Sequence, residues 1–142
     1  IKIFKNISLK YLIFLSLILT LVQVFTGTQV REFVDIQYEL SVNKELWLEN
    51  PDFNFYFHRT FSLLVFAINL TILYLTFKWK YPLNTILWIS FIIFLEIVLG
   101  IIMYYGDFPI FSQPLHLFLA TILFGFQFDW SFFFIRKFKN DL

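Results

Sequence analysis

Four apolar stretches dominate the sequence, and their length is the feature that most limits how the chain can fold. They cover approximately residues 11–30, 53–77, 83–105 and 113–135. Each is close to the roughly 20 residues with which an α-helix crosses about 30 Å of hydrocarbon. With 59% of its 142 residues hydrophobic and 15% charged, the chain is too apolar for a water-soluble domain. The sequence therefore predicts an all-α integral membrane four-helix bundle, a single domain over residues 1–142.

Basic residues occur before the first stretch, between the second and third, and after the fourth. They are Lys2, Lys5, Lys10, Lys78, Lys80, Arg136, Lys137 and Lys139. In a chain with four spans these three places lie on one side of the membrane, and the positive-inside rule makes that side cytoplasmic. We therefore expect both termini in the cytoplasm of a multi-pass protein of the cell inner (plasma) membrane, with an acidic loop of residues 31–52 outside. A net charge of +1 argues against a nucleic-acid partner.

A faint internal repeat indicates two similar helical hairpins. In each hairpin a polar residue precedes a glycine by four positions on the first helix, and a histidine lies near the start of the second. These residues are Gln23, Gly27 and His58, then Glu96, Gly100 and His116. The glycines allow close approach of helices or of a flat macrocycle. Glu96 lies too deep in hydrocarbon for a bare carboxylate, so we expect it either to be protonated and hydrogen-bonded, with Gln23 as its partner, or to be part of a proton path.

His58 and His116 are the only histidines of the chain, and the predicted topology places them at a similar depth near the outer face. Two imidazoles from facing helices form the axial pair of a six-coordinate haem iron. A lone zinc ion fits less well, because it requires three or four protein ligands and the chain has no cysteine. The alternative is two unrelated histidines that bind no metal and form hydrogen bonds near the lipid headgroups.

Two arginines near the same end are candidates to bind the anionic haem propionates. Arg59 follows His58 directly, and Arg31 closes the outer end of the first stretch. A guanidinium can bind a carboxylate through two parallel hydrogen bonds. Arg59 is the better candidate, since Arg31 is as well explained by an arginine that extends its guanidinium to lipid phosphates.

Four short strings surround these residues and carry a family resemblance. They are GTQVREFVD at 27–35, YFHR at 56–59, LEIVLG at 95–100 and PLHL at 114–117. In this order and spacing they resemble the heme A synthase family. The resemblance implies an oxidoreductase that converts the C8 methyl group of heme O to a formyl group, giving heme A for cytochrome oxidase.

The resemblance also implies that the chain is half of a longer protein. Family members contain two similar four-helix halves, of which the first holds heme O and has a glutamate three residues before its first histidine. The corresponding residue here is Phe55, as in the second half, which binds haem b. His58 and His116 are thereby implied as iron ligands in a carboxy-terminal half that relays electrons and has no catalytic residue of its own. Glu96 departs from the family, in which many members have Gln.

The partners implied by the resemblance are the missing amino-terminal half with the heme O site, membrane lipid, and heme O synthase, cytochrome oxidase assembly factors or a quinone-linked electron donor. Two alternative functions remain open from the residues alone. One is a non-enzymatic membrane b-type cytochrome that carries electrons between quinone and a partner. The other is a structural or assembly subunit whose histidines bind nothing.

Overall fold

The computed structural model describes the backbone of residues 2–40 and 43–140, and the side chains of residues 7–40 and 43–136. Its elements are α1 (Lys2–Glu39), a short 3-10 turn (Lys44–Leu46), α2 (Phe53–Lys78), α3 (Asn84–Tyr105) and α4 (Ser112–Asn140). All four α-helices are long and apolar enough to cross a membrane, and the described residues include no strand. The predicted all-helical four-span class is therefore confirmed. The side chains of Lys2, Lys5, Lys137 and Lys139, used to predict orientation, lie outside the described residues.

The first helix is longer than the predicted stretch of residues 11–30. Residues 31–39, expected to begin the acidic loop, continue α1 instead. Neither glycine nor proline occurs between Gly27 and Pro51 to end the helix. Arg31 and Asp35, one turn apart, form an ion pair at 2.8 Å, and Val34 on the inner face is only 2% exposed. The prediction was wrong here because it placed the end of the helix at the first charged residues. These residues end the apolar stretch, but the helix continues through them.

Local hydrogen bonds define both ends of α2. The Asp52 side chain accepts a hydrogen bond from the Phe55 amide at 3.0 Å. Asp52 is therefore the N-cap of α2, which begins at the next residue, Phe53. At the other end, Tyr81 donates to the Thr76 carbonyl at 3.0 Å and Lys80 donates to the Phe77 carbonyl at 3.1 Å. This pair of bonds is a Schellman motif, and it holds Lys80 in the left-handed region with φ of 59°.

The helices are arranged in a ring, in which α1 contacts α2 and α4 and α3 contacts the same two helices. Consecutive helices are joined by segments 40–52, 79–83 and 106–111, so neighbours run antiparallel. As a result α2 and α4 are parallel and diagonally opposite, and their first turns lie at the same end of the bundle. This arrangement determines which side chains can meet in the centre.

The interior away from those first turns is mostly apolar and contains a cluster of three hydrogen-bonded polar side chains. The Ser16 hydroxyl donates to Asn69 Oδ1 at 3.0 Å and accepts a hydrogen bond from Gln127 Nε2 at 3.0 Å. These three side chains, from α1, α2 and α4, are each at most 2% exposed. Asn69 follows His58 at the same spacing as Gln127 follows His116. The cluster is therefore a second level of the repeat, about 16 Å along the helices from the histidines.

Replacing Ser16 by alanine tests how much this cluster contributes to stability. Ser16→Ala leaves a buried amide donor and a buried amide acceptor without partners, so we expect the free energy of unfolding in detergent to fall by about 1–2 kcal/mol. The matched control is Thr71→Ala, which removes an exposed hydroxyl bonded only to its own helix and should change stability by less than about 0.5 kcal/mol. Equal effects of the two substitutions would show that the cluster does not stabilise the bundle.

A pair of lysine-to-glycine substitutions tests the turn after α2. Lys80→Gly should raise the free energy of unfolding by up to about 1 kcal/mol, because glycine adopts positive φ without steric cost. Lys78→Gly removes the same charge two residues earlier, inside the last helical turn, and should lower stability by about 1 kcal/mol. Effects of the same sign, measured by denaturant unfolding, would contradict the geometry of this turn.

Candidate functional site

The two histidines meet in the interior of the bundle. His58 lies in the first turns of α2 and His116 in the first turns of α4, and the topology brings these turns to one end. Their ring centroids are 6.5 Å apart and their ring planes are inclined at 75°. Because α2 and α4 are diagonal helices, the rings approach each other across the centre of the bundle. The prediction that the two imidazoles face each other agrees with this geometry.

The ring of His58 is enclosed by residues of α1. Its Nδ1 lies 3.2 Å from the Thr26 hydroxyl oxygen. The same hydroxyl donates a hydrogen bond to the Gln23 carbonyl, with 3.0 Å between the two oxygens. Gln23 Nε2 donates to the His58 carbonyl at 3.0 Å and lies 3.5 Å from the ring Nε2. Gly27 leaves the space for the ring, since a Cβ there would stand 3.1 Å from His58 Cε1. The close approach expected of Gly27 is thus between a helix backbone and the imidazole.

The ring of His116 is held by the other hairpin. Its Nδ1 is in direct contact with Glu96 Oε2 of α3. The Glu96 side chain is 12% exposed and that of His116 27%. The expected hydrogen bond between Gln23 and Glu96 is wrong, because each of these residues binds the histidine of its own hairpin. A polar residue in the interior of a membrane helix binds the nearest polar group that packs against it, and here that group is on the following helix.

The internal repeat is therefore visible as a repeated contact. Gln23 on α1 contacts His58 on α2, and its counterpart Glu96 on α3 contacts His116 on α4. The second glycine of the repeat behaves differently, since a Cβ on Gly100 would meet nothing within 4 Å. Thr26 was not identified as a site residue from the sequence. Its position one turn after Gln23 on the same helix face is the signal that could have revealed it.

Two side-chain oxygens beside the histidines are buried without a hydrogen-bond partner among the described residues. They are Oε1 of Gln23 and Oε1 of Glu96, one in each hairpin. An unsatisfied buried acceptor costs about 1–3 kcal/mol, and in native proteins such atoms usually indicate a functional role or a bound group. Both flank the imidazole pair, so the unsatisfied acceptors and the candidate ligands occupy the same place.

The arginines lie at the same end of the bundle but differ in their surroundings. The Arg59 guanidinium lies 5.9 Å from the centre of the Phe55 ring and 5.5 Å from that of Tyr56, on the exposed side of α2. Arg31 is 57% exposed and forms its ion pair with Asp35. Both side chains therefore already have partners, and only Arg59 lies next to a histidine in the chain.

Phe55 occupies the position at which the resemblance would place a catalytic glutamate. The ring is 9% exposed and stacks on Tyr104 of α3, with centroids 5.7 Å apart and planes 24° from parallel. An aromatic hydrocarbon neither accepts nor donates a proton. The chain therefore has no acid–base group at this position.

The donor set fits one iron held between two imidazoles. Two imidazoles bound to opposite sides of one metal ion through bonds of about 2 Å have ring centres roughly 6 Å apart, close to the observed 6.5 Å. Each Nδ1 contacts a side-chain oxygen, of Thr26 or of Glu96, and a partner at this place commonly orients a histidine that binds metal through Nε2. Within the part of the chain that the structure describes, no three His, Cys, Asp or Glu side chains converge on one point, as tetrahedral zinc would require.

The fold and site define a class: a multi-pass four-helix membrane protein with two histidines opposed across its centre. A model of the COX15-CtaA family, described as cytochrome oxidase assembly protein, matches residues 2–128. The chain therefore belongs to the COX15-CtaA family, the heme A synthase family of oxidoreductases in heme A biosynthesis. Neither a curated protein nor a solved structure matches the chain significantly.

Two glycine-to-alanine substitutions test the contact between α1 and the His58 ring. Alanine favours a helix over glycine by about 1 kcal/mol, and at Gly100, where a Cβ meets nothing within 4 Å, Gly100→Ala should gain most of this. Gly27→Ala should gain less or lose stability, because its methyl group displaces the imidazole. Denaturant unfolding of both variants measures the difference, and equal gains would show that His58 does not pack on Gly27.

Proposed function

We propose that this chain is the carboxy-terminal, haem-b-binding half of a heme A synthase and that it relays electrons to the oxidation of heme O. The observation that supports this most directly is the pair of imidazoles, whose centroids are 6.5 Å apart across the bundle. Membership of the heme A synthase family supports a role in heme A biosynthesis. The four helices long and apolar enough to cross a membrane support a multi-pass membrane protein, and in this proposal its membrane is the cell inner (plasma) membrane.

In this proposal His58 and His116 would hold the haem iron, each through Nε2. A bound haem b supplies one-electron redox chemistry and no group transfer. Thr26 and Glu96 contact the two rings at Nδ1 and would orient them for binding of the iron through Nε2. Gly27 provides the space in which the His58 ring can hold that orientation.

Arg59 is the proposed partner for a haem propionate. It follows His58 by one residue and lies at the exposed end of the site. Its guanidinium lies beside the Phe55 and Tyr56 rings and has five N–H donors with which it can bind a carboxylate. Arg31 already donates from Nε to Asp35, and we assign it the secondary role.

The oxidation of the methyl group is assigned to the other half of the protein. Phe55 packs against Tyr104 where an acid–base residue would be required, so this half has no group that could serve the reaction there. The heme O site then belongs to the missing amino-terminal half. Heme O synthase, assembly factors of cytochrome oxidase and a quinone-linked donor are the proposed functional partners.

The same histidine geometry would support a non-enzymatic b-type cytochrome that carries electrons between quinone and a partner. The two proposals differ in the fate of heme O. The full-length protein containing this chain should form heme A from heme O when given a reductant and dioxygen, whereas a cytochrome should not. The chain by itself should bind haem and form no heme A, and formation of heme A by the chain alone would overturn the assignment to this half.

Haem binding by the purified chain is the primary test. We expect the reduced, haem-supplemented protein to show the sharp visible bands of a low-spin b-type haem, at one haem per chain. His58→Ala and His116→Ala should each abolish the low-spin spectrum, because each removes one of two axial ligands. Asn69→Ala, which alters a buried polar residue of the inner cluster, serves as the control for general damage and should retain it. A wild-type protein that stays colourless would overturn the proposal in favour of a structural subunit.

A further inference from the structure

The two histidines differ in the chemical character of their Nδ1 partners. The partner of His58 is the neutral hydroxyl of Thr26, at 3.2 Å. The partner of His116 is a carboxylate oxygen of Glu96, in direct contact. Gln23, the counterpart of Glu96 in the repeat, is an amide and binds mainly the His58 backbone carbonyl. The two candidate ligands are therefore alike, but the group in contact with Nδ1 is a hydroxyl for His58 and a carboxyl group for His116.

We propose that Glu96 is a positioning residue that makes His116 the stronger electron donor of the two axial ligands and so stabilises the oxidised iron. The inference rests on the proposed haem b site and extends it. Glu96 does not touch the haem in this scheme and acts through His116 alone.

The first physical reason is hydrogen bonding. A histidine that gives its Nδ1 proton to a carboxylate becomes a more basic ligand at Nε2, and partners of this kind commonly tune metal sites. A hydrogen bond to a charged acceptor is about twice as strong as one between neutral groups. The contact between Glu96 and His116 should therefore polarise its imidazole more than the contact between Thr26 and His58.

The second reason is charge in a medium of low dielectric constant. Only 12% of the Glu96 side chain is exposed, so water screens its charge weakly. Among the described residues, His116 is the only titratable partner that the structure gives Glu96, and its Oε1 has no partner at all. In this proposal the contact with His116 takes the place of protonation in offsetting the cost of burying the Glu96 carboxylate, and the field of that carboxylate acts on the site through His116. A ferric haem carries one more positive charge than a ferrous haem, so this field favours the oxidised state.

A potentiometric titration of three proteins tests the inference. Glu96→Gln keeps the size of the side chain and an oxygen that can accept from Nδ1, but removes the charge. We expect it to retain haem and to raise the equilibrium constant for reduction by tenfold or more, which is about 59 mV in the positive direction for a one-electron couple. The matched control Thr26→Val removes the Nδ1 partner of His58 without a change of charge and should shift the potential by much less.

The outcomes separate this inference from the proposed function. A wild-type protein without haem would overturn both. A wild-type protein with haem, together with a Glu96→Gln potential that is unchanged, more negative, or shifted no more than that of Thr26→Val, would overturn the role of Glu96 alone. If Glu96→Gln fails to fold or to bind haem, the comparison passes to Glu96→Asp. That variant moves the charge away from His116 and should shift the potential positively by a smaller amount, and an unchanged potential would overturn the inference.

Discussion

The structure depends on the cost of placing imidazole nitrogens in the centre of a membrane bundle. A polar ring there must be hydrogen-bonded, must bind a metal, or must face water. The fold brings His58 and His116 to one place from diagonal helices and gives each Nδ1 a partner of its own, Thr26 or Glu96. The Nε2 atoms of the two rings are the iron ligands in the proposed function, which therefore depends on this pairing of the histidines.

The hairpin repeat explains why the site forms where it does. In each hairpin the first helix carries the residue that holds the histidine of the second, so each half of the site can form locally. The inner cluster of Ser16, Asn69 and Gln127 then joins three helices at a second level. Buried polar groups at two depths restrict the rotation of α1, α2 and α4, because a turn of any of these three helices would break a polar contact at each depth.

Much of the fold could be predicted from the sequence, because the lengths of apolar stretches determine membrane spans almost independently of tertiary contacts. The meeting of His58 and His116 followed from the topology of antiparallel helices and the positions of the two residues along them. The extension of α1 to Glu39 could not be predicted from hydropathy. The hydropathy of a segment indicates which residues can lie in the hydrocarbon of the membrane, but a helix can continue beyond them. The prediction of a hydrogen bond between Gln23 and Glu96 was also wrong. Which side chains meet depends on the rotation of each helix about its axis, and the apolar pattern of a lipid-facing helix specifies that rotation weakly.

The account rests on one iron bound by both imidazoles at the angle seen between their rings. Electron paramagnetic resonance of the ferric, haem-loaded protein tests this most directly, because the signal of a low-spin haem responds to both axial ligands and to the angle between their planes. With planes inclined at 75°, we expect a strongly anisotropic low-spin signal with one large g value, the form given by nearly perpendicular imidazoles. A high-spin signal would show that the two rings do not share the iron. A rhombic low-spin signal typical of parallel rings would contradict the geometry of the site.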